Sequence, residues 1–477
     1  MSVSETEGHG FESRQAYLYF LFLFSMYNIY IMKICIIPID NRPVCYNLIK
    51  DISDIDNDIE LLIPPREYLG DLTKKAKIDE ILNWLKNTDK FDKAIIALDT
   101  IAYGGLIPSR RSPDSFEDIK KRIYLLKEIL NKKNCKIYAF SSIMRISNNN
   151  INEEEKPYWD KYGKKIFDYS YYTHKNGIQS CVERLIPDDI LDDYLSTRKR
   201  NFEINKLYLD WQKEGFFDTL IFSKDDCAEY GFNVQEAIEL EKMGGITKTG
   251  ADEIPLTLFA RAIDGNLKVD IEFLEPEYKN LISNYEDISI EKSVQGQLQL
   301  AGCEITNKDN SDITLIVNNF INEQGEIVMK RTTIPYNGKF ETDVNKRIMI
   351  ADVRYANGAD NAFVEKFINN KMSDNFYGYS AWNTSANTLG SLICAAKVKF
   401  LAKKYNDNAF KKLECIRFLD DWAYQANVRQ KLQTPDNTIK DKMKPFEKRV
   451  FEFLNETYNI EYSYPWNRLF ETEVTIK

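Results

Sequence analysis

Histidine is nearly absent: 477 residues contain two, His9 and His174. A metal centre built on several imidazoles is therefore excluded. A Ser–His–Asp arrangement would have to use His174, since His9 falls in a leader that reads as extraneous. Cysteine is thinly spread. The eight (Cys35, Cys45, Cys135, Cys181, Cys227, Cys303, Cys394, Cys415) stand singly with no CxxC pair, which argues against a disulfide framework and reads as buried thiols in a reducing compartment. Basic charge is not in excess either. Lys and Arg number 64 against 73 Asp and Glu, a net charge of −9, so nucleic acid is not expected as a main partner. The apolar run AYLYFLFLFSMYNIYI over 16–31 falls short of the roughly 20 residues of a spanning helix. It follows Glu5, Glu7, Glu12 and Arg14 rather than the basic start of a secretory signal. Residues 1–31 therefore read as an extraneous or leader segment, with an anchor as the alternative. No stable membrane insertion is expected, and the expected location is cytoplasmic.

What is present is apolar mass: 43% hydrophobic and 13% aromatic residues, enough for a large core. From Met32 onward, nine short β-rich runs alternate with longer amphipathic stretches: 33–39, 60–64, 93–98, 136–140, 219–223, 268–273, 313–317, 347–351 and 377–381. They lack strict alternation, so most should be covered on both faces, as in a parallel sheet. IDEILNWLKN, FEDIKKRIYLLKEILNKK and SVQGQLQLAG carry helical periodicity, and GADEIPLTLFARAIDG reads as a helix with Pro255 near its start. No internal repeat is evident. The pattern predicts an α/β fold: a (β/α)₈-like barrel over 32–400 with a helical insertion at 147–215 and a C-terminal helical region at 401–477. The alternative is two doubly wound α/β halves around a cleft.

The strands are followed by chemically capable residues. Asp40, Asn41 and Arg42 follow the first; Asp99, Gly104, Gly105 and Arg110 the third; Arg145 the fourth; and Asp225 and Asp226 the fifth. Asn318 ends the seventh region, Asp352, Asn357 and Asp360 follow the eighth, and Trp382, Asn383, Thr384 and Asn387 the ninth. Each could serve only as a turn or cap residue. In either architecture, however, the C-terminal strand ends share one side, where ligands bind. Adjacent carboxyls repel, so one of Asp225 and Asp226 should hold a proton while the other stays an anion, the pair that glycoside cleavage needs. The Trp382-Asn383-Thr384 motif combines an aromatic face with hydrogen-bonding groups suited to a sugar. Gly104-Gly105 reads as a turn, Asp420 and Asp421 with Arg429 as an ion-paired helix, and His174 as structural. An all-oxygen Mg²⁺ or Mn²⁺ site from Asp40, Asp99, Asp225, Asp226, Asp352 and Asp360 is conceivable, but the spacing does not select it and no cofactor is expected.

The segments IPIDNRPV, IALDTIAYGGLIPSR, AFSSIMR, RKRNFEIN, KDDCAEYG, GADEIPLTLFARA, ADVRYANGAD, AWNTSANTLG and FLDDWAYQANVR occur in this order over about 34–429. In them the chain resembles a bacterial family defined as domain of unknown function 4127, a name that implies no activity. The resemblance adds Arg198, Asn201, Asn205, Asp252, Glu253 and Arg261 as motif positions without a role. More remotely, an acidic pair after a mid-chain strand and a Trp-Asn motif after the last resembles the substrate-assisted retaining N-acetylglucosaminidases. That likeness implies Asp225 as the residue orienting the acetamido group, Asp226 as the acid and Asn383 as a sugar contact. The expected function is thus a carbohydrate hydrolase acting on a small-molecule or oligosaccharide substrate. A non-catalytic sugar- or metabolite-binding protein and a Mg/Mn-dependent hydrolase or lyase are the alternatives.

Overall fold

Continuous apolar strands need cover on both faces, and helices supply it on two separate sheets. A computed structural model describes residues 31–178, 180–225, 227–340 and 346–477, so the leader 1–30 and Asp226 lie outside the described residues. The first sheet contains β1 (Met32–Ile37), β2 (Ile59–Leu62), β3 (Lys93–Ala97), β4 (Lys136–Ile143), β5 (Thr219–Lys224) and β6 (Thr247–Thr249), in the order β2-β1-β3-β4-β5-β6. The second contains β7 (Lys268–Phe273), β8 (Glu304–Ile305), β9 (Ile313–Asn318), β10 (Ile348–Asp352) and β11 (Phe376–Ser380), in the order β11-β10-β9-β7-β8. Every pairing within the two sheets is parallel. All nine predicted strands are present. The two unforeseen strands of these sheets, β6 and β8, are edge strands of three and two residues, too short to leave a pattern.

In both sheets the first strand lies between the second and the third, and the later strands add beyond the third. The chain therefore carries the same doubly wound order twice, a duplication of topology that no sequence repeat announces. The barrel expectation is not met, because the nine predicted strands fall into two separate open sheets rather than one closed one. It rested on counting strand–helix units, and a count does not reveal an edge. The break falls after β6, where the chain enters the helix Ile254–Ala262. Its sequence IPLTLFARA is apolar nearly all round, as a helix buried on all sides requires. It packs on β3 and β4 of the first sheet and on the helix Ser385–Leu401 of the second half.

Both faces of the first sheet are buried. Ile95 and Ala97 of β3 join the core that includes the helix Ile254–Ala262 and continues into the second half, while Ala94 and Ile96 join the core of the helix Phe116–Lys133. The insertion between β4 and β5 forms the helices Trp159–Asn176 and Asp188–Lys213. In it His174 accepts a hydrogen bond from the Gly231 N–H through Nδ1, a structural contact. Beyond Leu401 lie the helix Asp407–Arg417, a π-helical continuation Phe418–Val428, the helix Ile439–Leu454 and an antiparallel hairpin of Ile460–Ser463 with Glu473–Ile476. Among the described residues no helix is long and apolar enough to cross a membrane.

Leu315, at the centre of β9, is fully buried in the core shared by the two halves. Leu315→Ala should cost about 2–5 kcal/mol of stability in urea denaturation. A loss under about 1 kcal/mol would show that this core does not carry the second half.

Candidate functional site

The loops at the C-terminal strand ends of the first sheet, those after β10 and β11, and the hairpin connection 464–472 enclose a cleft of about 540 Å³. It opens beside the first sheet's switch point, where β1 and β3 diverge to opposite neighbours and a ligand crevice is expected. Asp40 and Arg42 follow β1. The Asp40 carboxylate accepts the Arg42 backbone N–H at 3.0 Å, closing the turn, and Pro43 starts the next helix, so Arg42 is held at the cleft.

Arg42 is 7% exposed and meets three carboxylates. Its Nη2 lies 2.7 Å from Asp40 and 2.6 Å from Asp252, and its Nη1 lies 3.2 Å from Glu471. One guanidinium cannot balance three anions in a buried place, so burial works against ionising Asp252 and Glu471. Burial pushes Glu471 up to about 7, with Arg42 opposing and Asp252 and Asp40 reinforcing. Burial likewise raises Asp252, against Arg42 and with Asp40 and Asp225 adding to the rise.

Across the cleft the charges are balanced differently. Arg145 pairs with Asp225 at 3.1 Å, Glu154 at 2.7 Å and Glu155 at 3.2 Å. Arg468 reaches Glu154 at 2.8 Å. Burial opposes the charge of Glu154, yet Arg145, Arg110 and Arg468 outweigh it and hold that carboxyl well below the usual carboxylate range. Guanidinium and aromatic groups alternate along one wall: Arg42 and Arg468 both lie over the Trp466 ring, and Arg468 and Arg429 over Phe470, at 4.7–5.2 Å. Asn357 and Asn383 line the cleft in the left-handed conformation that asparagine tolerates, clasped by a 2.7 Å hydrogen bond from the Asn357 N–H to the Asn383 carbonyl.

Of the residues singled out in the sequence, Asp40, Arg42, Arg145, Asp225, Asn357, Asn383 and Thr384 line this cleft. Asp226 lies outside the described residues. Asn41 stands just behind, accepting the Trp466 indole N–H at 2.7 Å. Arg110 is buried behind Arg145, 3.6 Å from Glu154 and 3.5 Å from Glu155. Asp99 is buried under β4, where it accepts the Ser142 N–H at 2.7 Å, and burial pushes it up to about 7. Asn318, Asp352 and Asp360 form a separate network. Asn318 donates to Asp352 at 2.8 Å and accepts from Arg354 at 3.0 Å, while Asp352 accepts the Asp360 N–H at 2.8 Å. With Arg354 reaching Glu275 at 2.8 Å, these groups fill the second sheet's switch point with the protein's own side chains. Trp382 is a core residue, Thr384 caps the following helix, and Asn387 is buried in that helix's first turn.

Gly104 and Gly105 hold positive φ in a turn against Ile39 and Lys75. Asp420 and Asp421 pair with Arg417 inside the π-helical segment. Of the aspartates grouped for an all-oxygen site, the described ones fall into separate networks: Asp40 with Arg42, Asp225 with Arg145, Asp99 under β4, and Asp352 with Asp360. Among the described residues no group of three or more His, Cys, Asp or Glu side chains could hold a metal ion.

A family model described as "Protein of unknown function (DUF4127)" matches residues 34–475. The chain belongs to the DUF4127 family. No curated protein and no solved structure matches it. The DUF4127 match runs past residue 429 and takes in the hairpin connection, which supplies Trp466, Arg468, Phe470 and Glu471 to the site. The sequence reading missed these four, along with Glu153 and Glu154, and left Asp252 without a role. Three consecutive glutamates in the Asn-rich stretch after β4, and a YPWNRLFE run without helical periodicity, were the available signals.

Several buried carboxyls are raised together: Asp99, Asp352 and Glu471 to about 7 and Glu414 to about 8, each chiefly by burial. Such a group takes up a proton on folding, so its contribution to stability is full below the unfolded value near 4 and is lost as pH rises through the folded value. Glu154, shifted the other way, acts only at lower pH. The urea midpoint should therefore fall between about pH 5 and about pH 8, and Glu471→Gln should make the fall shallower. A midpoint that climbs over this window would contradict the burial of these groups.

Proposed function

We propose that the cleft is the active site of a hydrolase acting on a carbohydrate. The observation that carries this reading is a pair of carboxyls lining one cleft in opposite electrostatic settings. Asp225 faces Arg145 at 3.1 Å, whereas Asp252 is buried with Asp40 and Glu471 around a single guanidinium. Two carboxyls in different surroundings within one cleft are what glycoside cleavage needs, one as acid and one as base or nucleophile.

In this reading Asp225, held by Arg145, is the nucleophile or base, and Asp252, which lines the cleft and whose burial favours its protonated form, is the acid that serves the leaving oxygen. The lining fits a polyhydroxylated ligand. Every sugar hydroxyl both donates and accepts, so it can be satisfied by walls of guanidinium, carboxylate and amide that an apolar ligand could not use. Because guanidinium groups stack on Trp466 and Phe470, binding in this reading relies on hydrogen bonds more than on ring stacking.

A panel of aryl glycosides, N-acetylhexosaminides included, assayed with and without chelator tests this directly. Turnover should be found and should survive chelation. Asp252→Asn and Asp225→Asn should each reduce it by about 10²–10⁴-fold with melting temperatures within a few degrees of the parent. Saturable sugar binding without product would assign a binding protein instead. Activity abolished by chelator and restored by Mg²⁺ or Mn²⁺ would replace the carboxylate mechanism with a metal-assisted one.

A further inference from the structure

The four arginines that line the cleft are not equivalent. Arg42 has three carboxylate partners, Arg145 has three, and Arg468 has two. Arg429 has no carboxylate within ion-pair distance among the described residues. Its Nη1 donates to the neutral Gln425 Oε1 at 3.0 Å, and its guanidinium lies 5.1 Å from the Phe470 ring centroid. The group is thus oriented by a neutral amide and a ring face, with Nε and Nη2 left to donate elsewhere. Burial works against its charge and lowers its proton affinity. Glu326, Asp420 and Glu471 favour its charge only from beyond ion-pair distance, and a partly buried cation with no carboxylate in contact gains from a ligand that supplies one.

A second group points the same way. The Asn383 side chain lines the same cleft and makes no hydrogen bond to a described residue. Its backbone is fixed by the Asn357 N–H, and Gly358, next in that loop, packs against the Ala426 backbone three residues before Arg429. The π-helical turn preceding Arg429, with the Arg429 N–H donating to the Tyr424 carbonyl, sets where the guanidinium emerges; such turns recur at functional sites.

We propose that the ligand of this cleft is an anionic sugar whose oxyanion, a carboxylate as in a uronic acid or a phosphate or sulfate ester, is received by Arg429 with the Asn383 amide beside it. The proposal rests on the carbohydrate reading and adds the charge of the substrate to it. A guanidinium offers two parallel N–H donors to a planar or tetrahedral oxyanion, a recognition geometry that an ammonium or an amide cannot reproduce.

Calorimetric titration of the full chain with glucuronate, glucose 6-phosphate, glucose 6-sulfate and glucose tests it, in the parent, Arg429→Gln, Arg429→Lys and Asn383→Ala. The parent should bind at least one of the three anionic sugars about ten- to a hundredfold more tightly than glucose, and which one identifies the oxyanion. Arg429→Gln should erase that preference, weakening the preferred anionic sugar far more than it weakens glucose. Arg429→Lys, which keeps the charge, should retain part of it and serves as the check should the glutamine variant fold poorly. Asn383→Ala should weaken the preferred anion more than glucose. Glucose bound as tightly as every anionic sugar, no binding of any anionic sugar at millimolar concentration, or a preference that survives in Arg429→Gln overturns the proposal. The two readings fail separately. Anionic sugars bound through Arg429 but never cleaved from their aryl glycosides would sink the hydrolase and keep the site, whereas cleavage of neutral glycosides indifferent to Arg429 would do the reverse.

Discussion

Arg42 is a buried cation reached by carboxylates from three distant parts of the chain: Asp40 two residues away, Asp252 from the segment after β6, and Glu471 from the C-terminal hairpin connection. Removing a guanidinium from water is expensive, and only close carboxylates and good geometry offset it. That requirement makes Arg42 the point where the end of β1, the entry to the helix between the two halves and the C-terminal connection must meet. Trp466, lying over the same guanidinium and bonded to Asn41, fastens the connection a second time. Because three carboxyls share one positive charge in a buried place, the arrangement that holds the cleft together also raises the proton affinity of Asp252 and Glu471.

The duplicated topology explains why there is one cleft rather than two. Both halves have a switch point at the C-terminal ends of their strands, the position at which doubly wound sheets leave a crevice. In the second half that crevice is filled by Arg354 with Asn318, Asp360 and Glu275, a buried network that orders the loop carrying Asn357. In the first half it stays open, walled on the far side by what the second half and the C-terminal connection present. One half therefore supplies the carboxylates Asp225 and Asp252 to the cleft while the other supplies amides, Arg429 and rigidity.

The strands were legible because parallel strands buried on both faces must be apolar throughout, and runs such as KAIIA and ITLIV have no other use. Their grouping into two sheets was not, since the boundary is set by edge strands too short to read and by a helix whose burial only the finished packing explains. At the site, Asp40, Arg42, Arg145 and Asp225, each just after a strand of the open half, line the cleft, whereas Asp99 and Arg110, which also follow a strand there, do not. Asp352, Asn318 and Asp360 occupy equivalent places in the second half and look the same in sequence, yet they serve the internal network. Trp382 has the composition of a sugar platform but faces the core, and two aromatic rings that do line the cleft, Trp466 and Phe470, come from a C-terminal segment without regular periodicity. Local sequence indicates which residues end strands; whether a switch point is open or filled depends on partners hundreds of residues away.

The central claim is that the C-terminal connection and the β1 loop form one electrostatic unit through Arg42. A double-mutant cycle on Arg42→Gln and Glu471→Gln, read by urea denaturation at neutral pH, measures it directly. With Arg42 absent, Glu471 is left among carboxylates, so Glu471→Gln should become less destabilising or even stabilising, departing from additivity by about 1 kcal/mol or more. Effects that add within about 0.3–0.5 kcal/mol would contradict the shared cluster on which the account of the cleft is built.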